Sequence, residues 1–179
     1  MMKITENSSL HNCKGSFTIE LALVLIVLIA LFYFMTDLSH KLIIRAQLDR
    51  ASFSIVNVLK ERTRFYDERF NLSQQDLVDM QSISSRLLNT NSSNVAIQIE
   101  SLQGKTIRTV FASPQYGTLG CTTLGIDQKT LLVPEEDGVI FPLYQVSLCV
   151  ESDSWFSRVW GDPLSSTMVV SSSSVMVGR

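Results

Sequence analysis

From Leu21 to Met35 the chain runs through fifteen consecutive apolar residues, counting Tyr33, with no charge, Gly or Pro. Extended to its polar limits, Ser16 to Thr36, the segment is interrupted only by Thr18 and Glu20. Twenty-one helical residues rise about 31 Å, roughly the hydrocarbon thickness of a bilayer. A helix that is apolar on every side has no face for water, so the segment reads as a membrane-spanning anchor in preference to a buried core helix. A cleaved secretory signal needs small residues just beyond the apolar stretch, and Phe34-Met35-Thr36-Asp37-Leu38-Ser39-His40 offers no such pair. A lipoprotein signal would place the apolar run before its cysteine, whereas Cys13 precedes the run.

Composition bounds the remainder. The 179 residues suffice for one domain plus an appendage, and 45% of them are hydrophobic, enough for a core and incompatible with global disorder. Much of the mean hydropathy of +0.19 comes from the anchor. Seventeen acidic and fifteen basic residues leave a net charge of −2, which gives nucleic acid no electrostatic footprint. Only His11 and His40 are available for histidine chemistry.

Helical periodicity continues past Thr36. Ile44, Leu48, Ala51, Ile55 and Val58 form an apolar stripe, with Lys41, Arg45, Asp49, Lys60 and Arg62 largely off it. No Gly or Pro occurs between Ser16 and Gln103, so one helix of about 70 Å from Phe17 to Phe65 is expected. Its alternative is two helices bent near Asp37. Ser73 and Asp76 signal the start of a second helix, with Leu77, Met80, Ile83 or Ser84, and Leu87 as its buried face. The pattern then changes to period two. Val95, Ile97 and Ile99, a turn at Gly104, and Ile107, Thr109 and Phe111 read as a hairpin. Tyr144, Val146, Leu148 and Val150 form a further strand. Thr167 to Val177 is the last one, its signal weakened by Ser171 to Ser174. Ser113 to Phe141, with its Gly and Pro residues, reads as a long connection. The expected fold is α+β: a long N-terminal helix and a head of about four twisted antiparallel strands against one or two helices.

The entry to the anchor is Lys14-Gly15-Ser16-Phe17-Thr18-Ile19-Glu20-Leu21. A carboxylate at the start of a spanning helix is costly and therefore a functional candidate. The bland reading is a Glu marking the edge of an ordinary signal anchor. Counted from Ser16, however, Glu20 is the fifth residue, and Gly15, Glu20 and the uninterrupted apolar run together resemble the prepilin cleavage signature of the type IV pilin superfamily. The resemblance implies a cut after Gly15 by a membrane aspartyl prepilin peptidase on the cytoplasmic side. The helix then stays as an anchor, and Glu20 neutralises the freed amine of Ser16 on the same or a neighbouring chain. Pairing the two charges offsets part of the cost of burying either. Lys41, Arg45 and Arg50 follow the span, so orientation rests on the resemblance and not on charge asymmetry.

Among pilin-like proteins the chain looks like TadE and TadF of the tight-adherence (Flp) system, TadF in preference. Glu20 precedes Leu21 and a large head follows, unlike the short major pilins, which carry Glu-Tyr after the cut. The first residue of the mature chain would be Ser16 where many type IV pilins have Phe. The organisation expected is a leader over 1–15, a spanning helix over 16–36, its amphipathic continuation over 37–66 and an extracytoplasmic head over 67–179. Cleavage would remove Cys13, leaving Cys121 and Cys149 as the natural disulfide pair beyond the membrane, with two buried free thiols as the alternative.

No nucleotide-binding, zinc or nucleophile-elbow pattern is present, and His40 has no convincing Ser–Asp context. Glu135-Glu136-Asp137 is a solvated turn or, as the sharper alternative, a calcium site. Trp155, Phe156 and Trp160, followed by Gly161-Asp162-Pro163, either finish a small core or form an exposed assembly patch. The reading is a non-enzymatic minor pilin or pseudopilin without a cofactor, single-pass in a bacterial inner membrane with its N-terminus cytoplasmic. It would work with a prepilin peptidase, other pilin-like subunits and an inner-membrane assembly platform in pilus assembly and surface adhesion. The rivals are a type II secretion-like pseudopilin and an uncleaved membrane-anchored periplasmic binding protein.

Overall fold

A computed structural model describes residues 14–61, 72–136, 138–160 and 167–178. Outside them lie most of the expected leader, the expected helix end at Phe65, Asp137 and Gly161-Asp162-Pro163. Helix α1, Lys14–Lys60, is continuous over 47 residues, so the bend considered near Asp37 does not form. The polar residues at the exit do not interrupt the helix, since their hydroxyls are satisfied within it. The hydroxyls of Thr36 and Ser39 donate back to the carbonyls of Phe32 and Met35, each at 2.9 Å.

The C-terminal half of α1 buries Leu48, Ala51, Ile55, Val56 and Leu59, with Ile44 packed at the margin. Val58, expected in the stripe, is 49% exposed. It lies about 60° around the helix from Ile55, on a flank the sheet does not reach, and Val56 and Leu59 take the contact. Helix α2, Gln74–Leu87, begins with a capping box: Ser73 Oγ accepts from the Asp76 N–H, and the Ser73 N–H donates to Asp76 Oδ2 at 2.7 Å. Leu77, Met80 and Ser84 are its buried residues. Leu87, expected on that face, is exposed, and Leu88 packs on the core in its place.

The head is a four-stranded antiparallel sheet whose strands lie in the order Ile107–Ala112 (β2), Val95–Gln103 (β1), Leu143–Asp153 (β5) and Thr167–Val177 (β6). Strands β1 (Val95–Gln103) and β2 (Ile107–Ala112) form the expected hairpin, turning through Gly104 and Lys105 in left-handed backbone. The long connection contains more structure than its composition implied. It holds a short helix α3 (Pro114–Thr118), a 3-10 turn over Ile126–Leu132, and a two-residue hairpin of β3 (Glu135–Glu136) and β4 (Val139–Ile140). Strand β5 (Leu143–Asp153) follows, then helix α4 (Trp155–Trp160) and strand β6 (Thr167–Val177).

Strand β5 pairs with β1 from Leu143↔Leu102 to Val150↔Val95, and with β6 from Leu143↔Val177 to Asp153↔Thr167. Side chains alternate across the sheet, so Val95, Ile97, Ile99, Tyr144, Val146 and Leu148 share the face against α1 and α2. Ser52 of α1 meets the serine run of β6 there, its Oγ 3.2 Å from Ser172 Oγ and 2.7 Å from Ser174 Oγ. Ser172 Oγ also donates to Asp49 Oδ1. Short hydroxyls let helix and strand approach closely, which explains how a largely half-buried edge strand with so weak an apolar signal docks on α1.

Candidate functional site

Two regions of α1 concentrate the features that distinguish this chain. The first is its N-terminal half. Gly15 and Ser16 fall in the first turn, and Glu20 follows one turn later with its side chain exposed. Beyond Glu20 the apolar residues face outward all round: Phe32 is 70% exposed and none of the most apolar stretch is buried within the chain. By length and composition this helix suits a single-pass membrane anchor. An apolar surface of this extent is covered by lipid or by other helices.

The second region is the exit. Asp37 follows directly on the apolar run, yet it is only 6% exposed. Its carboxylate accepts from Ser154 Oγ at 3.0 Å and from the Trp155 N–H at 3.1 Å. Lys41, one turn along α1, pairs with it at 2.9 Å. Phe34 and Phe156 add an edge-to-face ring contact with centroids 5.8 Å apart. These contacts fix α4, and with it the end of β5, against the place where α1 leaves its apolar segment. Of the three aromatics read as core or patch, Phe156 is half-buried on Phe34 and Trp155 is 60% exposed; the Trp160 side chain lies outside the described residues.

The opposite face of the sheet carries a polar clasp. Glu100, fully buried, accepts from Arg108 Nη2, from Gln98 Nε2 at 2.7 Å and from the Ile126 N–H at 3.0 Å. Arg108 Nη1 also reaches Asp127 at 3.1 Å. Gln145 accepts from Lys129 Nζ at 2.9 Å and donates to the Leu124 carbonyl at 2.8 Å. The hydrogen bond to Glu100 holds the Arg108 guanidinium above its ordinary pKa, against the effect of burial. Burial pushes the Lys129 ammonium down, and the Glu100 charge offsets part of that. The clasp pins the long connection to the sheet.

Beside it Cys121 and Cys149 are joined as a disulfide, Cα atoms 6.3 Å apart and 28 residues separated in sequence. It packs with Ala96 and Tyr116. By helix rise alone, Glu20 lies about 42 Å along α1 from Leu48, the first core residue of the head, so the entry motif and the disulfide are not brought together. His40 lines an open groove of about 680 Å³ with Gln47, Gln115, Glu151, Asp153 and Trp155. Among the described residues no three His, Cys, Asp or Glu side chains gather as a metal site requires. Glu135 pairs with Lys105 at 3.0 Å, and Asp137 lies outside those residues.

Asp37 and Glu100 are the functional-looking carboxylates that sequence reading missed. The Ser154 partner of Asp37 is 117 residues away, beyond any local pattern. Glu100 had a weak signal, a charge within a strongly alternating strand.

A long helix with an uncovered apolar half, compatible with a single-pass membrane anchor, and its other half laid on a small antiparallel sheet has the build expected of a pilin-type subunit. The chain belongs to the TadF family, described as "Putative tight adherence pilin protein F", whose model matches residues 9–179. No curated protein and no solved structure matches it.

Proposed function

We propose that the chain is a minor pilin-like subunit of the tight-adherence (Flp) pilus, cut after Gly15 by a prepilin peptidase and acting in pilus assembly and surface adhesion without catalysis of its own. The observation that carries this reading is the apolar half of α1, which the described residues leave uncovered and which is entered through Gly15-Ser16 with Glu20 one turn on. Family membership supports a pilus-associated role. The subunit waits in the inner membrane, N-terminus cytoplasmic and head outside. Other pilin-like subunits and an inner-membrane assembly platform then receive the helix as it moves from lipid into a bundle. There Glu20 compensates the freed amine of Ser16, whose burial alone would be costly.

The test is the intact mass and N-terminal sequence of membrane-extracted protein, with and without the peptidase. The mature chain is expected to begin at Ser16. Gly15→Ala blocks conversion, while Glu20→Ala is cut but poorly incorporated. A mature protein that retains its initiating Met, with both variants behaving as wild type, overturns the reading in favour of an uncleaved membrane-anchored binding protein.

A further inference from the structure

Helix α4 is six residues long, too short to be helical by itself in water. It is held by α1: Asp37 binds Ser154 and the Trp155 N–H, and Phe34 takes the Phe156 ring. Phe34 lies inside the apolar run, two residues before its polar limit at Thr36. The short helix is thereby fixed beside the last turn of the segment that needs lipid. Two of its outward residues are large and apolar. Trp155 and Val159, one helical turn apart and so on one face, are 60% and 58% exposed. Arg158 lies beside them, largely exposed and sharing its guanidinium with Asp153 at 3.2 Å, and Met168, opposite Ser152 at the same end of the sheet, is 52% exposed. Tryptophan and aliphatic side chains next to an arginine suit the membrane–water interface, where the ring sits at headgroup level and the cation meets lipid phosphates.

We propose that α4 lies in the lipid interface and seats the head on the bilayer, setting its height for as long as the subunit is anchored. The occupant is lipid because the α4 surface is continuous with the anchor's own apolar surface through the Phe34–Phe156 contact. The inference rests on α1 spanning a membrane.

Both tryptophans of the chain, Trp155 and Trp160, belong to α4, so intrinsic emission reports on this helix alone. The full chain with Trp160→Phe is reconstituted in phosphatidylcholine–phosphatidylglycerol vesicles whose acyl chains carry bromine either near the glycerol or near the methyl end. Trp155 emission is expected to be blue-shifted and to lose most intensity to the shallow bromines. Emission that neither bromine position quenches overturns the proposal, and a blue shift that instead follows the protein-to-lipid ratio assigns the patch to a second copy. A companion chain, Leu25→Trp with Trp155→Phe and Trp160→Phe, reports on the span. Quenching of that residue by deep bromines, with Trp155 unquenched, removes only the seat. If it escapes the deep bromines, α1 does not span and both readings fall.

Discussion

Between Phe17 and Met35 the large apolar side chains of α1, the half-buried Tyr33 apart, are 47–70% exposed, whereas Leu48, Ala51, Ile55, Val56 and Leu59 on the same helix are at 3% or less. The two halves use similar residue types, and nothing in the backbone separates them. They differ in what covers them. The second half is covered by β5 and β6, which the chain itself supplies; the first half depends on its surroundings. Apolar composition thus states a demand for burial, and topology decides whether the chain meets that demand alone.

The comparison breaks most visibly at the centre of the anchor. Leu28→Arg is expected to reduce stable membrane integration on the order of a hundredfold, measured as the fraction resisting alkaline extraction. The matching change in the second half is a loss of core. Ile55→Ala should destabilise the head by about 2–5 kcal/mol in denaturant titrations, while Ile29→Ala leaves that midpoint unchanged. Should Ile29→Ala cost as much, the division between the halves is wrong. At the boundary, Asp37→Ala removes the acceptor for Ser154 and Trp155 and should lower the melting free energy by about 1–2 kcal/mol, with more rapid amide exchange in α4. The smallest effect sharpens the reading of the stripe. Val58→Ala should stay within about 0.5 kcal/mol of wild type, since the flank that carries Val58 meets no core.

Much of this was legible in the sequence. The apolar run, the unbroken helix, the helix start at Ser73 and Asp76 and all four main strands follow from periodicity and local chemistry, because each is encoded within a window of a few residues. Val58 and Leu87 show where periodicity fails: it identifies a face and not how far the sheet extends along it. The connection from Ser113 to Phe141 was opaque for another reason. Its turns are organised by Glu100 and Gln145, buried polar groups on distant strands, and no local spacing announces a hydrogen bond across 26 residues such as that from Ile126 to Glu100. For the entry motif, the sequence supplies Gly15, Ser16 and Glu20 as a processing candidate, and the fold places all three within α1. Asp37 was visible only as a charge after an apolar run; its role depends on where β5 ends.

The unbroken course of α1 has a mechanical consequence. A rod with no hinge between its apolar section and its head passes axial load straight through. Tension applied at the N-terminal end would therefore reach the head first where Asp37 holds Ser154 and Trp155, and only then as shear along the seam that Asp49 and Ser52 make with β6. The clasp at the exit, and not the apolar core beyond it, would be the first to register a pull.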